Sequence, residues 1–218
     1  EGHELIHRVQ QGGTLPLITS CCPGWVKFAE HNFPELLGNL STCKSPQQMF
    51  GAVAKTYWAQ QTGTDPARIT MVSVMPCTAK KFEAERPEMH DSGQQDIDHV
   101  LTTRELAQML REASIDMNTL PEAEFDDPLG TSSGAGLIFG ATGGVMEAAL
   151  RTAYEVITGR ALGRLDFEMV RGLDGIKSTR VPIDGLELKV AVVHGLANAR
   201  KLLEDVNAGH SEYDFIEV

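Results

Sequence analysis

The sequence predicts an α/β protein of two lobes, in which mostly parallel sheets are flanked by helices. Short apolar runs rich in β-branched residues, such as residues 69–75 and 186–193, alternate with segments of helical periodicity, and this alternation is typical of parallel sheets. A chain of 218 residues can bury the core of one domain or of two small lobes. Because such folds gather their chemistry at the ends of strands, we expect a functional cleft there.

The first part of the chain predicts a helix, a strand and a second helix. Residues 1–11 have helical periodicity and end at two glycines, residues 15–19 are an apolar run, and Pro23 suits the first turn of a helix. The side chains that we expect on the buried sides of these helices are Leu5, Ile6, Val9, Trp25, Phe28 and Ala29.

Two capping boxes organise the middle of the chain. In the first, Ser45 and Gln48 predict the start of a helix that extends to residue 61. The second spans residues 102–105 and opens a helix to residue 113. Between them, residues 69–75 predict a buried strand, and residues 100–102 predict another. In the helix predicted from Ser45 to residue 61, the side chains that share one face and that we expect in the core are Met49, Val53 and Tyr57.

Two glycine-rich stretches, residues 130–136 and 140–144, flank the apolar triplet 137–139. They match neither a Walker A nor a GxGxxG pattern, so we interpret them as places where backbone approaches a ligand closely. The remaining predicted elements are a loop at 116–128, helices at 145–158 and 196–206, and strands at 186–193 and from 213 onwards.

The composition excludes some classes of function. A net charge of −11 and a pI near 5.0 argue against a nucleic-acid footprint. The sequence contains no apolar run long enough to predict a membrane span. The four cysteines have neither the spacing of a zinc ribbon nor that of a disulfide scaffold, so we expect a reduced, intracellular or anaerobic setting.

Two cysteine motifs follow apolar runs and carry the chemistry. The first is Thr19-Ser20-Cys21-Cys22-Pro23-Gly24-Trp25, and the second is Met75-Pro76-Cys77-Thr78-Ala79-Lys80-Lys81-Phe82-Glu83. Cysteines at strand ends, each followed by residues that can start a helix, suggest thiolates directed into a shared cleft. Thiolates favour soft metals, so the motifs predict an iron–sulfur cluster.

A formal HExxH pattern at His3, Glu4 and His7 is the main competing metal signal. It places two imidazoles one helical turn apart with a glutamate between them, as in zinc proteases. No clear third ligand follows, and solvated helix side chains are the simpler interpretation.

Taken together, the two cysteine motifs resemble those of the catalytic domain of iron-only ([FeFe]) hydrogenases. The runs FGATGGVMEAALRTA and RGLDGIK…KVAVVHG also resemble that family, in the same order along essentially the whole chain. The resemblance implies reversible conversion of protons and electrons to dihydrogen. It implies as cofactor an H-cluster in the cleft between the lobes, in which a [4Fe–4S] cube is bridged by cysteine to a di-iron unit with CO, cyanide and dithiolate ligands.

The resemblance also implies roles for individual residues. Cys22 and Cys77 match two ligands of the cube, and Cys21 matches a cysteine that transfers protons rather than binding metal. A thiol suits that role because its ordinary pKa of about 8.5 lies close to neutrality. The residues that match the rest of the proton relay are Glu1, Ser41, Glu4 and Arg8.

Other matched positions surround the cofactor. Lys80 resembles a lysine that donates a hydrogen bond to a cyanide ligand, and Glu83 resembles a glutamate with a supporting role. Cys43 matches no ligand, and we interpret it as a bystander thiol. The residues that match the lining of the di-iron pocket are Met75, Pro46, Gln47, Phe139 and Gly140.

The third motif of the family, which carries two further cysteines, is expected directly after Val218. We therefore interpret residues 1–218 as part of a large-subunit catalytic domain without its upstream segment and third cysteine motif. The expected partners are dihydrogen and protons, a ferredoxin or other electron carrier, and maturation proteins, with no nucleic acid. The expected location is the cytoplasm, with the periplasm as the alternative.

Three alternatives stay open on the sequence. A Nar1-type assembly factor has similar motifs but typically lacks the doubled cysteine, and a hydrogen sensor keeps the same site with slow turnover. The third is a self-contained site of all four cysteines, Cys21, Cys22, Cys43 and Cys77, in which adjacent ligands are hard to fit on one metal.

Overall fold

The computed structural model of the protein describes residues 1–131, 133–163, 168–169 and 175–218. The chain divides into two compact units. Unit 1 comprises Glu1–Cys43 and Ser132–Val218, and unit 2 comprises Lys44–Thr131. Sheets flanked by helices confirm the predicted α/β class.

The elements of the described residues follow in chain order. The α-helices are α1 (Gly2–Gln11), α2 (Pro23–Asn32), α3 (Pro46–Val53), α4 (Ala59–Thr62), α5 (Ala79–Ala84), α6 (Thr103–Glu112), α7 (Gly134–Ile138), α8 (Gly144–Thr158) and α9 (Leu196–Asn207). The strands are β1 (Leu17–Ile18), β2 (Val72–Val74), β3 (His99–Leu101), β4 (Glu168–Met169), β5 (Ile176–Ile183), β6 (Leu186–Val193) and β7 (Phe215–Glu217). Short 3₁₀-helices lie at Pro34–Asn39, Pro66–Arg68 and Met117–Thr119. A π-helical segment at Ala54–Trp58 joins α3 to α4.

The sheet of unit 1 has the strand order β1-β7-β6-β5-β4. β7 is parallel to both β1 and β6, whereas β5 pairs antiparallel with β4 and β6. The antiparallel hairpin of β5 and β6 was not predicted. Its turn is Asp184-Gly185, where both residues have positive φ (45° and 85°), the geometry that an Asp-Gly hairpin turn requires.

The side chains of this sheet alternate between two apolar clusters. On one face, Ile18, Ala191 and Ile216 pack with α2 and α9, and on the other, Leu17, Val190 and Phe215 pack with α1 and α8. Both faces are covered where β1, β7 and the second half of β6 run, and these segments are buried at every or nearly every position. The predictions that Leu5, Trp25 and Ala29 are buried are confirmed.

Unit 2 has a parallel pair, β2 and β3, and a small core of Ala84, Ile97 and Val100. The prediction that residues 69–75 form a buried strand is wrong in extent and in burial. Only Val72–Val74 is a strand, and the side chains of Val72 and Val74 are 49% and 44% exposed.

The predicted core face of the helix in unit 2 is also wrong. The structure exposes Met49, Val53 and Tyr57, and buries Gln47, Gln48, Gly51 and Lys55 instead. The cause is the segment that packs against this helix, which contains Asp96 and Asp98. A Cβ at Gly51 would lie 2.3 Å from the Asp96 carbonyl oxygen, and the Lys55 ammonium lies 2.7 Å from the Asp98 carboxylate.

The two predicted capping boxes have different outcomes. Thr102 and Glu105 cap α6 reciprocally, as predicted. Ser45 does not cap α3 with its side chain, because its hydroxyl donates to the Glu83 carboxylate at 2.7 Å. In the described part of the chain, no helix is long and apolar enough to cross a membrane.

Candidate active site

The paired cysteines lie between β1 and α2 in unit 1. The Trp25 indole N–H donates to the Thr19 carbonyl at 2.8 Å in the core, which fixes the exit of the strand. Pro23 occupies the first turn of α2, so that Cys22 becomes the N-cap residue with an exposed side chain. Cys21 is half-buried. The exposed thiol therefore lies where the helix terminus favours negative charge.

Glu4 is the centre of a hydrogen-bonded chain in the same unit. Its carboxylate accepts the Ser41 hydroxyl at 2.6 Å and the Arg8 guanidinium at 2.7 Å. The Thr42 backbone N–H also donates to both of its oxygens. The acceptors that hold the Arg8 guanidinium on its other side are the carbonyls of Thr14, Gly38, Asn39 and Leu40.

Glu1 extends this chain towards the cysteines. Its carboxylate accepts the backbone N–H of Ser20, the residue before Cys21, at 3.4 Å. Burial raises the pKa of the Glu1 carboxyl and the charge of Glu4 adds to that, whereas the Ser20 N–H and the nearby Ser41 hydroxyl lower it. The structure thus brings Glu1, Ser41, Glu4 and Arg8 together in unit 1.

The pKa of Glu4 shifts in the opposite direction. Burial by itself would raise it, but hydrogen bonds from Ser41, Thr42 and Arg8, together with the charge of Arg8, outweigh burial and lower the pKa below 4.5. The folded state therefore favours the ionised carboxylate of Glu4. This stabilisation is fully present above the unfolded pKa and is lost as the pH falls through the lower folded pKa.

We expect Glu4→Gln to destabilise the metal-free protein at pH 7, because the hydrogen bonds to the charged acceptor weaken. The expected loss is on the order of 1–3 kcal/mol. The difference from the wild type should shrink as the pH falls below 4.5, the ordinary pKa of glutamate. Thermal unfolding between pH 3 and pH 8 measures this. A stability difference between the wild type and Glu4→Gln that is constant with pH would contradict the lowered pKa of Glu4.

Glu83 is the centre of a second polar cluster, which lies in unit 2. One of its oxygens accepts from the Ser45 hydroxyl at 2.7 Å, the Gln47 amide at 3.2 Å and the Lys80 ammonium at 3.1 Å. The Gln47 carbonyl oxygen in turn accepts the Ser73 hydroxyl at 2.7 Å. Ser45, Gln47, Lys80 and Glu83 are all buried. The structure therefore gives Lys80 a buried, hydrogen-bonded counter-ion.

The other predicted site residues of unit 2 are less enclosed. Cys77 is exposed, and its carbonyl accepts the backbone N–H of Lys80 at 3.3 Å, which places both near the start of α5. Pro46 is exposed at the first turn of α3. Met75 is half-buried and packs on the small core of the unit. Met75 thus also has a structural role.

Phe139 and Gly140 lie in unit 1, in the turn between α7 and α8. The Phe139 side chain is 42% exposed, and Gly140 is exposed. The end of the first glycine-rich stretch and the start of the apolar triplet together form the short helix α7, residues 134–138. Ser132 of that run, and Arg171, Gly172, Leu173 and Asp174 of the RGLDGIK motif, lie outside the described residues.

Sequence reasoning missed Glu217, a buried glutamate on β7. Its carboxylate accepts the backbone N–H groups of Gly143 at 3.1 Å and Met146 at 2.6 Å. One signal was available, because an acidic residue inside the apolar run of residues 215–218 needs a polar partner when it is buried.

The alternative metal sites gain no support from the described residues. These contain no group of three or more His, Cys, Asp or Glu side chains that could hold a metal ion. His3 and His7 are exposed, and Glu4 between them is bound to Ser41 and Arg8. All four cysteines lie within the described part of the chain, and none forms a disulfide. Neither the zinc protease nor the four-cysteine hypothesis is supported.

Comparisons with known proteins point to one family. Residues 1–218 match the family described as iron only hydrogenase large subunit, C-terminal domain. The chain is 54% identical to the NADP-reducing hydrogenase subunit HndD of Solidesulfovibrio fructosivorans and 53% identical to the periplasmic [Fe] hydrogenase large subunit of Nitratidesulfovibrio vulgaris. It matches over its whole length but spans only 38% and 52% of these relatives.

A solved structure supports the same relationship. Apo [FeFe]-hydrogenase HydA1 from Chlamydomonas reinhardtii, variant C377H, superposes with a TM-score of 0.85 at 43% identity, over 99% of this chain and 62% of that one. A cytosolic Fe–S cluster assembly factor of Danio rerio is more distant, at 33% identity over 94% of this chain and 51% of its own.

Proposed function

The chain belongs to the family of iron-only hydrogenase large subunits, and on that premise we propose that it forms part of a catalytic large subunit that interconverts protons, electrons and dihydrogen. The observation that carries this proposal is the chain of hydrogen-bonding side chains in unit 1. Glu1, Ser41, Glu4 and Arg8 follow one another from the backbone beside Cys21. Such a path suits a reaction that must move protons to and from a buried centre.

The residues present suit the H-cluster as the cofactor. Cys22 and Cys77 offer exposed thiols, the donor type that iron–sulfur clusters require, and we propose them as two ligands of the cube. Lys80 would hold an anionic cyanide with its ammonium, and Met75, Pro46, Gln47, Phe139 and Gly140 would line the pocket. When bound, the cluster supplies electron storage and an iron centre at which dihydrogen is made or split.

The proposed proton path uses groups that can change their protonation state. The Cys21 thiol exchanges its proton with the Glu1 carboxyl, whose pKa is raised by burial, so that it can hold a proton closer to neutral pH. The Ser41 hydroxyl connects Glu1 to Glu4, since a hydroxyl can both donate and accept. Arg8 stays protonated, and therefore it orients Glu4 rather than carrying the proton.

Ser41→Ala is expected to lower the rate of hydrogen evolution by about 10²-fold or more, because it removes the hydroxyl between the two carboxyls. Ser41→Thr keeps the hydroxyl and should retain most of the rate. Thr42→Ala is the matched control, since Thr42 contributes only its backbone N–H to Glu4. Anaerobic gas chromatography of the matured enzyme measures all three. A rate in Ser41→Ala equal to that of the control would remove Ser41 from the path.

We also propose that residues 1–218 are only a part of the catalytic domain of the large subunit. A cube needs four protein ligands, and we propose two in this chain, with the others supplied by large-subunit sequence beyond residues 1–218. Reading the coding sequence past Val218 tests this: two cysteines in a CxxxC spacing would support it. A stop codon there would leave the cube two ligands short, and the proposed activity would be withdrawn.

We propose dihydrogen, protons and an electron carrier such as ferredoxin as partners, with maturation proteins that load the cofactor. The proposed compartment is the cytoplasm, and the relative named as periplasmic makes the periplasm the second candidate. Cell fractionation of the native host distinguishes them. The turnover rate of the matured enzyme separates a hydrogenase from a hydrogen sensor.

A further inference from the structure

Glu217 is buried on β7, and its carboxylate supplies the hydrogen-bond acceptor that the start of α8 lacks. The first N–H groups of a helix have no partner within the helix, and the N-cap residue here is Gly143, which has no side chain to accept them. The Glu217 carboxylate accepts from Gly143 and from Met146, at 3.1 and 2.6 Å. The helix is therefore capped from the neighbouring strand rather than from its own sequence.

The close packing around this cap explains why a local capping residue is absent. Gly143 has a φ of 85°, and a Cβ there would lie 3.3 Å from the Val192 side chain. A Cβ at Gly144 would lie 1.9 Å from the Ile138 carbonyl oxygen. A serine or aspartate would be strained at the first position and would clash at the second. The acceptor has to come from outside the segment.

The capped amides also hold one end of the turn between α7 and α8. Backbone hydrogen bonds run from Ala141 to Ile138 and from Gly144 to Ala141, so the turn at residues 139–143 is short and continuous with the helix start. The end of the turn next to α8 is attached to the sheet by the hydrogen bond from the Gly143 N–H to the Glu217 carboxylate. Glu217 therefore holds the end of the turn that contains Phe139 and Gly140.

The Glu217 carboxyl lies in unit 1, as does Glu1 of the proposed proton path. Burial raises the pKa of the Glu217 carboxyl, the N–H groups of Met146 and Gly143 lower it, and the charge of Glu1 raises it again.

We propose that Glu217 is a positioning residue of the hydrogenase site, whose carboxylate fixes the turn that presents Phe139 and Gly140 to the cofactor. The function of the turn rests on the proposed function given above. The attachment of the turn to the sheet does not, and it can be tested in protein without cofactor.

The first test is amide hydrogen exchange in the metal-free complete large subunit. In E217A, the amides of residues 143–146 should exchange about 10- to 100-fold faster, because hydrogen bonds to a charged acceptor are among the stronger ones. E217Q keeps one carbonyl acceptor and should show a smaller increase. The matched control is E212Q, which alters an exposed glutamate just before β7 and should leave these amides unchanged.

Two exchange results would overturn the proposal. One is wild-type exchange at residues 143–146 in both E217A and E217Q. The other is an equal increase in α9, which also packs on the sheet, because that would indicate general loosening rather than a local attachment.

The second test is the infrared spectrum of the matured enzyme. The CO and cyanide stretching bands should shift in E217A at unchanged iron content, and lie nearer to the wild-type positions in E217Q. Wild-type band positions with reduced cluster content would reduce Glu217 to a stabilising residue and overturn its positioning role. A wild-type large subunit that takes up no cluster would defeat the proposed function, whereas the exchange experiment would still decide whether Glu217 holds the turn.

Discussion

Cys21→Ser is expected to lower hydrogen evolution by about 10²- to 10⁴-fold, the range that a positioned acid or base contributes. A thiol ionises near neutral pH, with an ordinary pKa of about 8.5, whereas a serine hydroxyl does not ionise in this range. The variant keeps the size and shape of the half-buried side chain. Iron content should therefore stay at the wild-type level, because we assign Cys22 rather than Cys21 as the ligand.

The matched control is Cys43→Ser, which alters the other half-buried thiol of unit 1. The Cys43 sulfur accepts a hydrogen bond from the Glu1 backbone nitrogen at 3.2 Å, but it carries no proton in the proposed path. Serine keeps an acceptor at that position, and this variant should evolve hydrogen at close to the wild-type rate. Metal analysis and anaerobic gas chromatography on the same preparations separate the two properties. An unchanged rate in Cys21→Ser would exclude its role in proton transfer, and loss of iron would instead make Cys21 a ligand.

Glu83→Ala is expected to destabilise the metal-free protein by about 3–5 kcal/mol, the usual cost of removing one partner of a buried ion pair. Its carboxylate is 4% exposed and is bound to the buried Lys80 ammonium, which would lose this ion pair. The Ser45 hydroxyl and the Gln47 amide would lose the same acceptor. Urea unfolding followed by circular dichroism measures the effect.

Two further variants make this result specific. Glu85→Ala alters an exposed glutamate at the end of the same helix and should change stability by less than about 0.5 kcal/mol. The double variant Lys80→Met/Glu83→Leu replaces the pair by apolar side chains and should recover part of the stability, while Ser45 and Gln47 still lack the Glu83 acceptor. It should stay inactive, because the ammonium proposed to hold the cyanide is gone. Full activity in the double variant would contradict the role of Lys80.

The residues of the candidate site were predictable to the extent that they lie in short motifs. Cys21 and Cys22 precede a proline that starts a helix, and that local pattern is preserved in the structure. Glu4 and Arg8 share one face of α1 because they are four residues apart, and Glu1 is the N-cap residue of that helix. That these three residues and Ser41 form one proton relay followed only from the family resemblance.

Burial in unit 2 was not predictable from local pattern. The apolar side chains Met49 and Tyr57 predicted a core face, but the buried face carries Gln48 and Lys55. Buried charge is tolerated there because Asp98 and the Gln95 carbonyl bind the Lys55 ammonium. These partners lie about forty residues away in sequence, and helical periodicity contains no information about them.

By itself, the sequence determined the α/β class, the helices with clear periodicity or caps, and the two cysteine motifs with the family that they resemble. Only the tertiary structure decided that Ser45 serves Glu83 instead of its own helix, and that Glu217 caps α8 from a strand. The physical reason is the same in both cases. A buried polar group must find a hydrogen-bond partner, and which partner it finds depends on segments that folding brings together from distant parts of the chain.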